Sequence, residues 1–79
     1  MNYVATFHTH FAAMRSQRNL KSLGIAARLA PVPRVLSSSC GTCVVYTADE
    51  PHLTALDRDT EQVALQLEDG SYKVIHQNL

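Results

Sequence analysis

Hydrophobic and polar residues alternate with a period of two at the start of the chain. Over residues 2–7, Tyr3, Ala5 and Phe7 fall on one side of the run, and the other positions fall on the opposite side. Successive side chains of a strand point to opposite faces, and aromatic and β-branched residues favour that conformation. The pattern therefore predicts a β-strand over residues 2–7.

Over residues 9–24 the apolar spacing changes to three and four, which is typical of a helix that buries one face. Thr9 is a suitable N-cap, and Gly24 is a suitable residue to end the helix. The side chains expected on the buried face are Ala13, Ser16, Leu20 and Leu23. The sequence predicts a helix over residues 9–24 that packs closely on a sheet.

Two further strands are predicted, over residues 25–31 and 42–48. The first ends at Pro31 and Pro33, because proline lacks the N–H group that a sheet needs. Between the two strands, residues 31–41 are rich in proline, serine and glycine and predict an extended loop with turns.

The C-terminal third fits two patterns. Residues 59–69 predict a helix with Asp59 as its N-cap and Gly70 after its last turn. The same residues also alternate as a strand would, and a hairpin turn would then follow; the alternating positions are Val63, Leu65 and Leu67. We favour the helix because of the order of the elements, and residues 71–77 form the last strand in either case.

The predicted order is strand, helix, strand, strand, helix, strand. Its simplest compact arrangement is an α+β fold of the ferredoxin-like split βαβ type, a four-stranded sheet with two helices on one face. We expect a single domain over residues 1–79. In this topology residues 7–10 and 37–43 share one end of the sheet, together with the N-terminus of the first helix.

Composition places the chain among small globular domains. It has 79 residues, of which 46% are hydrophobic, so its core is modest and a homo-oligomer would enlarge it. No apolar run is long enough for a transmembrane helix, and the first ten residues lack the features of a signal peptide. These observations predict a cytoplasmic protein without membrane association.

The net charge of zero conceals two oppositely charged halves. Residues 1–48 contain five basic and no acidic residues, whereas residues 49–79 contain seven acidic and two basic residues. The halves either neutralise each other in the folded domain or leave the cysteine loop in a positive field that would favour a thiolate. The basic residues are too few, and lack the aromatic stacking platform, for nucleic-acid binding. Asp57, Asp59 and Glu61 are expected on the solvated surface, with a helix cap among them.

The two cysteines, Cys40 and Cys43, are the strongest chemical signal. In a reducing cytoplasm such a pair is more often catalytic or metal-binding than a structural disulfide. Gly41 leaves the sulfur of Cys40 uncrowded, and the hydroxyl and amide groups of Ser38 and Ser39 could donate hydrogen bonds to an anionic sulfur. Cys43 either resolves a modified Cys40 or packs in the core as a small hydrophobic residue.

Two histidines, His8 and His10, are expected near this loop because of the shared end of the sheet. With Cys40 and Cys43 they would form a Cys₂His₂ set suited to Zn²⁺, although the spacing is not that of a zinc finger, and no metal is predicted. The open alternatives are a metal-binding or protein-interaction module and a dithiol redox partner. A thioredoxin-type enzyme is disfavoured, because its cysteine pair opens a helix rather than a strand.

One stretch of the sequence resembles a known family. The combination of "PVPR" (31–34, ending in Arg34) and "SSSCG" (37–41), after a strand ending in Phe7 and a helix ending near Leu23, is similar to the selenium/sulfur carrier protein-like family of small bacterial domains. The resemblance covers residues 2–48. It implies that Cys40 carries sulfur or selenium as a persulfide or selenopersulfide without a cofactor, exchanging it with donor and acceptor proteins as a carrier rather than an enzyme. Cys43 departs from the family pattern.

Overall fold

A five-stranded antiparallel sheet with one α-helix on one face forms the protein, in a computed structural model that describes residues 1–78. The elements in chain order are β1 (Asn2–Phe7), α1 (His10–Ser22), β2 (Ala27–Pro31), β3 (Thr42–Thr47), a 3-10 turn (Leu53–Ala55), β4 (Thr60–Gln66) and β5 (Tyr72–Gln77). No helix in the described part of the chain is long and apolar enough to span a membrane.

The sheet order is β2-β3-β1-β4-β5, and every neighbouring pair is antiparallel. Strands β1 and β2 point the same way because both pair antiparallel with β3, which lies between them. This is the split βαβ arrangement, and it confirms the α+β class. The count of elements differs from the prediction, which had four strands and two helices.

Helix α1 begins and ends where the capping residues predict. Thr9 Oγ1 accepts a hydrogen bond from the Ala12 N–H at 3.1 Å, and Gly24 follows the last turn with φ of 80°. The buried side chains of the helix are Ala12, Ala13, Ser16 and Leu20. The expectation that Leu23 is buried is wrong: it is 60% exposed, because it is the C-cap and the chain turns away from the helix there.

The predicted helix over residues 59–69 is wrong. These residues form β4, which pairs with β1 on one edge and with β5 on the other. Val63 and Ala64 are consecutive, point to opposite faces of the sheet and are both 0% exposed. A strand between two neighbours buries both faces, whereas a surface helix would bury one. Gly70 lies in the hairpin turn to β5 and not at the end of a helix.

The second helix is replaced by a short segment that docks on α1. Its 3-10 turn lies beside the helix, and Asn19 Nδ2 donates to the Ala55 carbonyl at 3.1 Å. The Asp57 N–H donates to Ser16 Oγ at 2.8 Å, and the Arg15 guanidinium lies 3.1 Å from the Asp57 carboxylate. Asp57 is thus an anchor of this segment and not part of a solvated acidic run.

The sheet has two different faces. The helix face holds the larger core, which includes Tyr3, Ala5, Phe7, Ala27, Val44, Tyr46 and Val63. Within residues 1–78 the opposite face carries no helix, and it is called the open face below. It holds a smaller cluster of Val4, Leu36, Cys43 and Ala64. The Tyr3 and Tyr46 rings stack at 5.2 Å and are buried, and Tyr72 is half-buried.

Candidate functional site

The Cys40 loop, residues 32–41, joins β2 to β3 and closes on itself. The Val32 N–H donates to the Gly41 carbonyl at 3.1 Å, so the two ends of the loop lie close together. A turn within it brings the Leu36 N–H to the Pro33 carbonyl at 3.0 Å. Leu36 is only 9% exposed and packs in the smaller cluster on the open face. The loop is therefore a compact folded segment of the Ω type and not an extended strap.

The serines of the loop attach it to the sheet. Ser38 Oγ donates to the Phe7 carbonyl at 3.2 Å, and the Ser37 carbonyl accepts from Gln62 Nε2 at 3.0 Å. Ser39 donates to the Glu61 carboxylate from its N–H and from its hydroxyl. The hydroxyls of Ser38 and Ser39 are thus engaged with the sheet, so they position the loop and do not donate to the sulfur of Cys40 as the sequence suggested.

Cys40 is half-buried at the end of the loop. Its thiol packs against the helix-face core and donates to the Thr42 carbonyl, with sulfur and oxygen 3.4 Å apart. Gly41 follows it with φ of 75°, and a Cβ at that position would meet nothing within 4 Å. The glycine is therefore required by the backbone angle and not by crowding.

Cys43 lies on the opposite face of the sheet. Its side chain is 0% exposed, packs with Val4, Leu36 and Ala64, and donates weakly to the Pro31 carbonyl at 3.6 Å. Burial raises the pKa of the Cys43 thiol, and the positive charge of Arg28 offsets only part of that rise. Cys43 is therefore a protonated core thiol in this conformation.

The two thiols are free and are separated by the sheet. Cys40 contacts the core on the helix face, while Cys43 points to the open face, because it lies in β3, where faces alternate with each residue. A disulfide between them needs movement of the loop. The arrangement does not present the paired thiols of a dithiol redox centre.

The two histidines lie at the same end of the sheet as the loop, as the topology predicted. His10 Nδ1 is 3.2 Å from Thr42 Oγ1, and His8 Nδ1 is 3.4 Å from the Glu61 carboxylate. Within residues 1–78, no three His, Cys, Asp or Glu side chains come together as metal ligands could. The Cys₂His₂ alternative thus has no preformed site, since Cys43 faces away.

Glu61 is the site residue that sequence reasoning missed. Its side chain is 18% exposed, and it receives the Ser39 hydroxyl at 2.6 Å and the Ser39 N–H at 3.2 Å to each oxygen. Burial acts to raise the pKa of Glu61, but the Ser39 hydrogen bonds and the nearby His8 outweigh it, so the pKa lies below its ordinary value. The strand pattern of residues 60–66 was the one signal that could have placed Glu61 beside the loop.

Arg34 is exposed and lies on the open-face side of the loop. It lines an apolar groove of about 530 Å³ with Val35, Leu36, Tyr72 and Val74 among its walls. The groove separates β5 from the turn of the loop. Of the predicted site residues, Arg34 and Cys43 are thus associated with the open face, whereas Cys40 is packed on the helix face.

The arrangement can present one thiol to a partner while it protects the other. A thiolate on Cys40 can attack an electrophilic sulfur without moving the core, because its loop is fixed at both ends and at Ser39. At the N-terminal end of α1, Phe11 is 68% exposed.

One family model matches the chain, over residues 2–67, and its description is "Putative Se/S carrier protein-like". The matched region includes β1 through β4 and the whole Cys40 loop, and it ends before β5. No curated protein and no solved structure matches the chain.

Proposed function

The chain belongs to the Se/S carrier protein-like family, and from that membership we propose that it carries or relays sulfur or selenium on Cys40 as a persulfide or selenopersulfide. The observation that supports this role best is the difference between the two sulfurs. Cys40 is half-exposed on an anchored loop, and Cys43 is buried on the opposite face. The chain therefore offers one accessible nucleophile in the position that a carrier requires.

The loading step is a thiol exchange. The Cys40 thiolate attacks the outer sulfur of a donor persulfide, R–S–SH. The S–S bond of the donor breaks, a new S–S bond forms on Cys40, and the electron pair leaves with the donor as RS⁻. No external oxidant is needed, because the transferred sulfur arrives already oxidised. Selenium would follow the same course from a donor selenopersulfide.

Delivery is the reverse exchange with an acceptor thiol, so the proposed partners are a donor protein and an acceptor protein. Loading and delivery each break one S–S bond and form another, so neither reaction is strongly favoured, as a relay requires. Such chemistry needs reduced cysteines, which agrees with a cytoplasmic location. The protein acts as a carrier in this scheme and not as an enzyme that releases a product.

Intact-mass measurement after incubation with a cysteine desulfurase and either cysteine or selenocysteine, from which the desulfurase forms the donor persulfide or selenopersulfide, tests the proposal. We expect the mass to rise by one sulfur or selenium atom, and peptide mapping to place that atom on Cys40. Cys40→Ser abolishes loading, whereas Cys43→Ser leaves it intact. Cys43→Ser is the matched control, since it removes the other thiol of the same chain.

Iodoacetamide labelling gives an independent measurement. At neutral pH Cys40 labels faster than Cys43, because a core thiol reacts only when the structure opens. Loading that survives Cys40→Ser, or faster labelling of Cys43, would assign the carrier role to the second cysteine and refute the proposal. A metal ion retained by the untreated protein would instead support the metal-binding alternative.

A further inference from the structure

The Cys40 loop covers the side of the sheet on which Cys43 lies. Cys43 is one member of a row that crosses four strands, in the order Ala30, Cys43, Thr6 and Gln62. Paired residues of adjacent strands point to the same face, so these four side chains share the open face. Leu36 of the loop packs in the cluster that contains Cys43, and the Ser37 carbonyl accepts from Gln62 at the end of the row.

A buried polar group marks this covered row. Thr6 Oγ1 is beside Cys43 in the pairing register, its residue is 0% exposed, and it alone lacks a hydrogen-bond partner among the buried side-chain oxygens and nitrogens of residues 1–78. Leaving a buried hydroxyl unpaired is unfavourable. The residue that carries this unpartnered hydroxyl is the register neighbour of Cys43, whose sulfur the proposed loading step does not use.

Glu61 holds the loop in place over this row. Its carboxylate accepts hydrogen bonds from the N–H and the hydroxyl of Ser39, the residue before Cys40. Gln62 donates a hydrogen bond to the Ser37 carbonyl. Two consecutive residues of β4 therefore fasten two positions of the loop, Ser37 and Ser39. Hydrogen bonds to a charged carboxylate are the stronger kind, so Glu61 is the main fastening.

We propose that Glu61 is a positioning residue that keeps Cys40 presented and Cys43 covered, and that its release admits Cys43 to the persulfide. This inference rests on the proposed carrier function. When the loop lifts, the Cys43 thiolate attacks the inner sulfur of Cys40–S–SH, and the Cys43 proton passes to water. The S–S bond of the persulfide breaks, a Cys40–Cys43 disulfide forms, and hydrosulfide leaves with the electron pair. Thr6 is the register partner of Cys43 on β1, and its unpartnered hydroxyl becomes a donor for the Cys43 thiolate when the loop lifts.

The first test is independent of sulfur chemistry and measures alkylation of Cys43 in the unloaded protein. Glu61→Ala is expected to label Cys43 about tenfold faster than wild type, as the loss of hydrogen bonds to one carboxylate implies. Glu61→Gln keeps one acceptor for the Ser39 N–H and should give an intermediate rate. Asp69→Asn is the matched control, because Asp69 accepts the same two kinds of hydrogen bond from Ser71, in the β4–β5 turn.

Urea unfolding of each variant separates a local fastening from a general loss of stability. If Glu61 acts only on global stability, the rate of Cys43 labelling rises in proportion to the unfolded fraction. Asp69→Asn then labels Cys43 at the same rate as Glu61→Ala when the two are compared at equal stability. The proposal requires labelling of Cys43 beyond that proportion, with partial recovery in Glu61→Gln. Unchanged Cys43 labelling in Glu61→Ala overturns it.

The second test uses the loaded protein and follows release of hydrosulfide together with disulfide formation. Glu61→Ala should release faster than wild type, and Thr6→Val, which keeps the shape but removes the hydroxyl, should release more slowly. Loading without any Cys40–Cys43 disulfide refutes the inference and leaves the carrier function standing. If no variant loads, the carrier function itself fails, while the labelling test still decides the role of Glu61.

Discussion

At the scale of single residues, the site depends on which group engages each donor of the loop. The hydroxyls of Ser38 and Ser39 bond to Phe7 and Glu61, so the loop is fixed by the sheet and not by the sulfur. The carboxylate of Glu61 bonds to Ser39, the residue before Cys40, so an acidic group lies on the loop that one of the two interpretations of the charge pattern placed in a positive field. The hydrogen bonds of these serines therefore position Cys40 and do not stabilise a charge on its sulfur.

Glu61 makes stability depend on pH in a defined direction. Its pKa in the folded protein is below the ordinary value of 4.5, so its contribution is fully present above that value and is lost as the pH falls through the folded pKa. Urea unfolding of Glu61→Gln should show a flatter loss of stability than wild type as the pH falls below 4.5. The difference at neutral pH should be about 1 kcal/mol.

Asp69 is the control for this measurement. Its pKa is also lowered, chiefly by hydrogen bonds from Ser71, and it is fully exposed, so Asp69→Asn should remove a separate part of the acid dependence that does not involve the Cys40 loop. An acid profile of Glu61→Gln that is identical to wild type would show that the Ser39 contacts do not favour the carboxylate.

Gly41 allows a second residue-scale prediction. A residue with a side chain is strained at φ of 75°, and the substitution meets no steric clash, so Gly41→Ala should cost about 1–2 kcal/mol from the backbone angle alone. Gly24→Ala is the matched control, with φ of 80° and equally open space. Both should lose similar stability in urea, but only Gly41→Ala should slow alkylation of Cys40. Equal effects on Cys40 would remove Gly41 from the site.

At the scale of elements, local signals were sufficient where they agreed with one another. Helix α1 has an N-cap, a period of three and four and a glycine after its end, and each is local in sequence. Residues 59–69 carried a helix cap and a strand alternation together, and no local feature decides between them. The decision comes from β5, which supplies the second edge partner of β4.

The dependence on contacts between distant segments also explains which parts of the site could be predicted from the sequence. The shared end of 7–10 and 37–43 follows from the split βαβ order and was predictable. For Glu61 the strand pattern of residues 60–66 was the one signal, and it was not sufficient, because the place of Glu61 beside Ser39 also depends on β4 pairing with β1, a contact between distant parts of the chain. The separation of the two sulfurs was within reach of the sequence, since Cys43 alternates with Val44 in a predicted strand, whereas Cys40 precedes it in a loop.

At the scale of the whole molecule, the two oppositely charged halves of the chain meet in the fold. Arg15 of the basic half pairs with Asp57 of the acidic half, and His8 lies beside Glu61. Both contacts join the β1–α1 region to the segment before or within β4. The first of the two interpretations of the charge pattern, mutual neutralisation, therefore describes these contacts.

The docking of residues 53–60 on α1 replaces a missing helix, and Ser16 is its internal partner. Ser16 is 0% exposed and accepts the Asp57 N–H, so Ser16→Ala leaves that group without its partner. We expect a loss of about 1–2 kcal/mol, since an unpaired buried donor costs more than the gain in helix propensity returns. Ser22→Ala is the matched control on the same helix, because Ser22 is exposed and bonds only to Asn19, and it should change stability by no more than about 0.5 kcal/mol. Urea unfolding of the two variants measures this difference. Equal stabilities would mean that apolar contacts alone hold the segment on α1. The domain would then not depend on this hydrogen bond to close the side of the sheet where a second helix was expected.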